Sequence, residues 1–240
     1  MNGLKTYRTS SRKGTEHWIA PESYCKDEDK FDKGRYKRES DIMNAGMVAY
    51  YVATKGEHAF GSSVDRLKNL VNGKPVGLDK IKDLVLKDLL SWMLSLKPED
   101  RPLAETALKH PYFLSDEEKF NLLCKVGDQP SIKTNGAHSS VAQILNADSS
   151  NWQSRMDGDV YKYFCTDEVN RRIVNYGSSW TECLRFIRNV GMHWNDRPRP
   201  RQQLFYKIGH PKHYFLSKFT DLLIRVHAAI RSNDEMKSII

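Results

Sequence analysis

Residues 179–194, SWTECLRFIRNVGMHW, form the stretch around which the rest of the chain is organised. Ser179 with Glu182 three positions later is a capping box, which predicts that a helix starts there. Apolar residues then recur at helical spacing and form one stripe: Trp180, Cys183, Leu184, Ile187 and Val190. Glycine commonly follows the last turn of a helix, so Gly191 is predicted to end this helix and to leave His193 in a loop.

The opposite face of the predicted helix is polar and carries Arg185, Arg188 and Asn189. Asn189 and His193 are four positions apart and share a face if the helix continues. Arg188 and His193 are separated by about 140° around an ideal helix, so they converge only if the chain bends near Gly191. An arginine, an amide and a histidine at one helix end could hold a phosphate and move a proton beside it. The alternative is an ordinary surface helix with solvated arginines.

Composition limits the possible functions of the chain. With 240 residues and 39% apolar residues, the chain can form one large or two small globular domains. It contains no apolar run long enough to span a membrane, and its first residues lack the apolar segment of a signal peptide, so we expect neither element in this sequence. Four cysteines, which form no C-x-x-C pair, argue against a zinc site and for a reducing compartment such as the cytoplasm: Cys25, Cys124, Cys165 and Cys183.

The positive charge is unevenly distributed. Residues 1–130 contain 22 Lys and Arg against 20 Asp and Glu, a net charge of +2, whereas residues 131–240 contain 16 against 10, a net charge of +6. A basic second half that also carries Arg188 and His193 is typical of a protein with a polyanionic partner. A solvated basic face would give the same count.

The first half resembles the end of a protein-kinase C-lobe. The phrase GTEHWIAPES, residues 14–23, contains an Ala-Pro-Glu motif, and residues 87–113, KDLLSWMLSLKPEDRPLAETALKHPYF, continue the resemblance. The resemblance implies an ion pair between Glu22 and Arg101, because a carboxylate covered by the activation segment needs a bidentate partner.

The parts of a kinase that hold nucleotide and metal are missing. No Gly-rich loop, V-A-I-K lysine, H-R-D or D-F-G motif occurs in the chain. Those parts bind ATP or ADP and Mg²⁺ in kinases, so we expect no cofactor, no metal site and no kinase activity in this chain. The chain is then either part of a longer protein or a scaffold whose kinase half has decayed.

The second half resembles a ribonuclease domain. The phrases LRFIRNVGMH, residues 184–193, and YKIGHPKHYFLSKFTDLL, residues 206–223, resemble the kinase-extension nuclease (KEN) domain. The family includes the endoplasmic-reticulum stress sensor of the unfolded protein response and ribonuclease L. The implied fold is mainly α, with a truncated protein-kinase C-lobe over residues 1–113 fused to an all-helical KEN ribonuclease domain over residues 114–237.

The resemblance implies metal-independent RNA cleavage, in which the 2′-hydroxyl attacks the adjacent phosphorus and leaves a 2′,3′-cyclic phosphate. His193 is then the general acid, since histidine changes protonation state near neutral pH. Tyr176 is the base or its helper. Arg188 stabilises the charge that develops on the phosphorane, and Asn189 positions the phosphate.

Further residues are candidates for RNA binding. Trp152 precedes the Arg-Asn-x-x-x-His core at a family-like distance and either stacks on a base or packs in the core. Residues 195–203, NDRPRPRQQ, form an extended basic loop in which Arg199 and Arg201 can follow a nucleic-acid backbone, and Arg185 is a third candidate. Residues 159–174 are predicted to be helical.

The expected partners follow from the same resemblance. RNA is the expected substrate, and the chain is expected to act as a homodimer or to pair with a full-length homologue. We expect no DNA partner and no membrane contact from this chain. The expected location is the cytoplasm, or the cytosolic face of the endoplasmic reticulum if a longer membrane protein contains it. The alternative is a non-catalytic pseudokinase–KEN scaffold that pairs with a full-length relative.

Overall fold

The chain forms two compact units, Met1–Tyr112 and Phe113–Ile240. The computed structural model describes residues 7–8, 15–24, 35–36, 38–133, 139–148, 151–167, 172–233, 236 and 239, so Cys25 lies outside the described residues. The prediction of a mainly helical protein is confirmed. The assignment of the first unit to a kinase C-lobe stays a prediction. Within the described ranges, no helix combines the length and apolarity needed to cross a membrane.

The first unit is built around two packed helices. Its elements are β1 (Tyr7–Arg8), β2 (Arg35–Tyr36), α1 (Arg38–Ala53), α2 (Arg66–Val71), α3 (Leu84–Met93) and α4 (Ala104–Ala107). Strand β1 pairs with β2 antiparallel, and α1 packs against α3. The core between these helices contains Met43, Met47, Tyr50 and Leu90, all buried.

Glu22 and Arg101 form a bidentate ion pair in the first unit. Arg101 Nη2 donates to Glu22 Oε2 at 3.0 Å, and its Nη1 donates to Oε1. The Arg101 side chain has no exposed surface, and its remaining donors bind backbone carbonyls, including that of Ser95 at 2.7 Å. Burial alone would raise the pKa of the Glu22 carboxyl, but hydrogen bonds from Arg101 and Ser40 hold it below its usual value.

The second unit contains the residues of the predicted nuclease site. Its elements are α5 (Asp116–Gly127), α6 (Pro130–Lys133), α7 (Ser140–Leu145), α8 (Gly158–Cys165), β3 (Thr166–Asp167), β4 (Arg172–Ile173), α9 (Trp180–His193), α10 (Gln202–Ile208), α11 (Pro211–Lys218) and α12 (Leu222–Arg231). Helix α9 packs against α5 and contributes most of its apolar stripe to the core.

Helices α5 and α9 approach closely because a glycine lies at two points of contact. A Cβ on Gly127 of α5 would lie 2.4 Å from the Leu184 carbonyl oxygen of α9. A Cβ on Gly191 of α9 would lie 2.9 Å from Cys124 Sγ and 3.0 Å from Phe120 Cζ of α5. All three distances are shorter than van der Waals contact, so a larger residue at either position would push the helices apart.

Two local predictions were wrong. Helix α9 runs through Gly191 to His193, because this glycine serves close packing rather than helix termination. The helix predicted over residues 159–174 ends at Cys165, and the chain continues into the antiparallel pair β3–β4, with Thr166 opposite Ile173. Across the described residues, the second unit is helical apart from this two-residue strand pair, which is consistent with the predicted helical domain.

Candidate functional site

Local hydrogen bonds set where α9 begins. Ser179 caps the helix by accepting from the Glu182 backbone N–H at 3.3 Å. The Glu182 carboxylate reaches further back and accepts from the Gly177 N–H at 3.1 Å. Its other oxygen accepts from Arg185 Nη1 at 2.7 Å. These contacts connect the segment that carries Tyr176 to the first turn of the helix.

A cavity of about 440 Å³ lies beside the last turns of α9. The end of α8, the β3–β4 pair, the segment before α9 and the loop after it form its walls. Its lining residues are Tyr163, Thr166, Asp167, Val174, Tyr176, Asn189, His193, Asp196, Arg197 and Pro198. Since α9 stays helical, Asn189 and His193 lie four positions apart on one face and both enter this cavity.

A chain of hydrogen bonds leads from outside the cavity to the Tyr176 hydroxyl. Arg188 Nε donates to Asp128 Oδ1 at 2.7 Å, and Arg188 Nη1 donates to Asn189 Oδ1 at 3.0 Å. Because the amide oxygen accepts from Arg188, the amide nitrogen is left to donate, and Nδ2 donates to the Tyr176 hydroxyl oxygen at 2.9 Å. Arg188 thereby orients Asn189, which in turn orients Tyr176.

Arg188 is not one of the residues that line the cavity. Its guanidinium donates to Asp128 and Asn189. The bend near Gly191 that would bring Arg188 towards His193 does not occur, because α9 is continuous. Arg188 contacts the cavity lining through its hydrogen bond to Asn189.

Tyr176 is buried at the back of the cavity. Its ring packs edge-on against Phe186, with centroids 5.0 Å apart. Burial raises the pKa of the Tyr176 hydroxyl, and the hydrogen bond from Asn189 offsets only part of this effect. The phenol is therefore neutral near pH 7 and can donate a hydrogen bond, whereas the predicted role as a base would require the phenolate.

His193 is the exposed member of the site. Its side chain is 58% exposed, and Nδ1 lies 3.2 Å from Asp196 Oδ2, three residues further along the chain. When Nδ1 carries its proton and donates to Asp196, Nε2 is the nitrogen available to a bound substrate. This arrangement suits proton transfer to a leaving oxygen.

Trp152 packs in the core and cannot stack on RNA, which corrects its assignment as an RNA-binding residue. Its ring has no exposed surface and contacts Phe186 and Tyr161, with centroids 5.1 and 5.7 Å away. Its Nε1 donates to the Gly177 carbonyl at 3.0 Å. Trp152 therefore supports the turn before α9 and acts on the cavity only indirectly.

The three arginines predicted to bind RNA lie outside the cavity lining. Arg185 is paired with Glu182, and its Cζ lies 5.2 Å from the centroid of the Tyr176 ring. Arg199 is exposed and stacks on Trp194, with Cζ 5.1 Å from the ring centroid. Arg201 is exposed immediately before α10. Their contribution to RNA binding stays a prediction.

Sequence reasoning missed the residues that close the cavity. Asp196 and Arg197 belong to the basic loop, in which the sequence indicated only Arg199 and Arg201. Tyr163 and Thr166 lie in the helix predicted over residues 159–174, and this prediction does not reveal the strand pair β3–β4 beside the cavity. Since Arg197 and Arg199 are each followed by a proline, the local sequence does not distinguish between them.

Comparison with known proteins identifies the family to which the chain is related. The sequence model of the family described as Ribonuclease 2-5A matches residues 119–240. The chain is 30% identical over 239 residues to the serine/threonine-protein kinase/endoribonuclease ire-1 of Caenorhabditis elegans, covering 95% of this chain and 23% of that protein. It is 30% identical to the human serine/threonine-protein kinase/endoribonuclease IRE2, covering 91% of this chain and 24% of that protein.

The human 2-5A-dependent ribonuclease is a third relative. It is 28% identical over 204 residues, covering 82% of this chain and 26% of that protein. The chain thus spans about a quarter of the length of the curated relatives it matches. Because the family model covers the whole cavity and more than half of the chain, the protein belongs to the Ribonuclease 2-5A family.

Proposed function

We propose that this chain carries an endoribonuclease site that cleaves RNA through attack of the 2′-hydroxyl on the adjacent phosphorus. Tyr176, Asn189 and His193 line one cavity, and this observation carries the proposal. Membership of the Ribonuclease 2-5A family and the net charge of +6 over residues 131–240 support RNA as the substrate. The product is a 2′,3′-cyclic phosphate and a free 5′-hydroxyl.

The proposed reaction is a single in-line displacement. The 2′-oxygen forms a bond to phosphorus and releases its proton to water, while the bond from phosphorus to the 5′-oxygen breaks. His193, protonated on Nε2, gives that proton to the 5′-oxygen, and Asp196 holds the ring through Nδ1. The nucleophile belongs to the substrate, so the proposed reaction needs no metal ion to generate hydroxide.

The other residues position the phosphate in this proposal. Tyr176 donates a hydrogen bond from its neutral hydroxyl and is thus the helper rather than the base. Asn189 holds that hydroxyl, and Arg188 holds Asn189. A pre-oriented donor costs no reorganisation as charge develops on the phosphorane, which is why such groups accelerate the reaction.

The decisive experiment compares two exposed histidines. His193→Ala removes the proposed acid, whereas His213→Ala removes a histidine that is 62% exposed, lies 3.6 Å from Asp116 and does not line the cavity. General acid catalysis is worth about 10²–10⁴-fold, so stem-loop RNA cleavage should fall at least about 100-fold for His193→Ala and stay within about twofold for His213→Ala. Mass spectrometry of the product should detect the cyclic phosphate, and EDTA should not slow the reaction.

The assay uses the full chain fused to a dimerisation domain, and separately the full chain mixed with a full-length homologue, because we propose that it acts as a homodimer or in such a pair. Equal cleavage by His193→Ala and wild type would refute the assignment of the acid. Absence of cleavage by either wild-type pairing would favour the alternative, a non-catalytic scaffold. Location in the cytoplasm or at the cytosolic face of the endoplasmic reticulum is part of the same proposal and is tested by microscopy of a tagged chain.

A further inference from the structure

Arg197 lines the cavity, and it has no role in the reaction proposed above. Arg188, the arginine that the sequence predicts to meet a phosphate, is paired with Asp128 at 2.7 Å and does not line the cavity. Arg197 lines the cavity itself, four residues after His193 and adjacent to Asp196 in sequence. The sequence analysis did not identify this second cation.

The protein uses only one edge of the Arg197 guanidinium. Nη1 donates to the backbone carbonyls of Tyr163 at 3.3 Å and Thr166 at 3.4 Å. Across the described ranges, Nε and Nη2 of Arg197 have no acceptor and no carboxylate pairs with this side chain. A guanidinium carries five donor hydrogens, so most of its hydrogen-bonding capacity remains available to a ligand.

The loop that carries Arg197 is anchored to the end of α8. The Tyr163 hydroxyl donates to the Pro198 carbonyl at 2.9 Å, while Arg197 bonds the backbone of the same helix end. Pro198 also restricts the backbone of the residue before it. Three independent constraints thus hold Arg197 in place, and a pre-positioned arginine loses little freedom when it binds an anion.

The charges around the cavity suit an anion bound next to Arg197. Of the two carboxylates in the lining, Asp196 lies against His193 Nδ1, and Asp167 is not paired with Arg197. The positive charge of Arg197 also acts on the Tyr176 hydroxyl. Burial raises the pKa of Tyr176, while the positive charges of Arg185 and Arg197 lower it and offset part of this effect. Arg197 is half-buried, and no carboxylate of the described residues forms an ion pair with it, so a phosphate that it contacts through two parallel hydrogen bonds would be stabilised there.

We propose that Arg197 binds the phosphate in this cavity, with a non-bridging oxygen accepting from Nε or Nη2. The ligand class is a phosphate ester flanked by a ribose. Its identification as the scissile phosphate of RNA rests on the proposed function. The bound phosphate then lies between Arg197, the Tyr176 hydroxyl and His193.

The test compares two half-buried arginines, each of which donates to a backbone carbonyl. Arg197→Gln removes the cavity cation, and Arg66→Gln removes an arginine of the first unit whose Nε donates to the Gly61 carbonyl at 3.3 Å and which does not line the cavity. Adenosine 3′-monophosphate serves as the probe, titrated into the full chain and followed by NMR of the Asn189 side-chain amide. Affinity should fall about 10- to 100-fold for Arg197→Gln, the range for a charged hydrogen-bonded contact, and change less than about twofold for Arg66→Gln.

A second substitution separates binding from folding. Arg197→Lys keeps the charge but loses the forked geometry, so its affinity should lie between those of wild type and Arg197→Gln. Equal binding by wild type and Arg197→Gln would overturn the proposal. So would losses in Arg197→Gln and Arg197→Lys that are equal and follow a lowered melting temperature, since that pattern indicates a structural residue.

Failure of the Arg197 proposal can be distinguished from failure of the proposed function. If the dimerised chain does not cleave RNA but binds the probe through Arg197, the phosphate site stands without the nuclease. If Arg197→Gln cleaves RNA and binds the probe like wild type, the nuclease stands and the role of Arg197 is refuted.

Discussion

Gly127→Ala tests whether the close contact between α5 and α9 supports the site. A Cβ at this position would lie 2.4 Å from the Leu184 carbonyl oxygen and 2.9 Å from Arg188 Cβ, whereas ordinary contact begins at 3.4 Å. The nearest atom belongs to the backbone and cannot turn aside as a flexible side chain does. The two helices must therefore separate by about 1 Å, the difference between ordinary contact at 3.4 Å and the 2.4 Å that the Cβ would have.

The expected cost follows from two opposing effects. Overpacking of this kind costs about 1–3 kcal/mol, while alanine is favoured over glycine in a helix by about 1 kcal/mol. The net loss in the free energy of unfolding should be about 0–2 kcal/mol. Since α9 carries Asn189 and His193, a displacement of about 1 Å should also slow the proposed RNA cleavage about 100-fold.

Gly158→Ala is the matched control, because a Cβ there meets no atom within 4 Å. The measurement is urea unfolding of the full chain together with hydrogen exchange of the α5 and α9 amides. Gly158→Ala should be unchanged or stabilised by up to about 1 kcal/mol, with normal cleavage. If Gly127→Ala is as stable and as active as Gly158→Ala, the close approach of the two helices does not position the site.

Two further predictions concern the first unit. Burial lowers the pKa of His58 to about 4, and its Nδ1 accepts from the Phe60 N–H, so the folded unit binds fewer protons than the unfolded chain between pH 4 and 6.5. The free energy of unfolding should therefore have its full value above about pH 6.5 and fall by roughly 2–3 kcal/mol as the pH drops to 4. Urea unfolding across this range measures the effect, and His58→Gln should flatten the dependence of stability on pH. Arg101→Met leaves the Glu22 carboxylate covered and unpaired, so it should cost about 3–5 kcal/mol, whereas adding Glu22→Gln should restore part of the loss. Equal stability of the single and double variants in the same assay would show that the unpaired charge is not the cause.

Several features depend on residues that are close in sequence, and these were predictable. Helix α9 begins at Trp180 because the Ser179 side chain accepts from a backbone N–H three residues later. Asn189 and His193 share a face because helical periodicity brings residues four apart together. The mainly helical class follows from the same apolar spacing.

Other features depend on residues that are distant in sequence, and local pattern predicted them wrongly or left them open. Gly191 was predicted to end the helix, but it packs against Phe120 and Cys124 of α5. Trp152 could stack on a base or pack in the core, and its burial in the folded chain decides for packing. In each case the physical role is a packing contact with a partner that sequence spacing does not identify.

The helical class, the family and the face of α9 that carries Asn189 and His193 were predictable from the amino-acid sequence. Which arginine lines the cavity became clear from the folded chain. Arg188 donates to Asp128, 60 positions away, whereas Arg197 lines the cavity and donates to the carbonyls of Tyr163 and Thr166 at the end of α8. An arginine's charge is a property of the residue, but its free donors depend on which acceptors the folded chain brings within hydrogen-bonding distance.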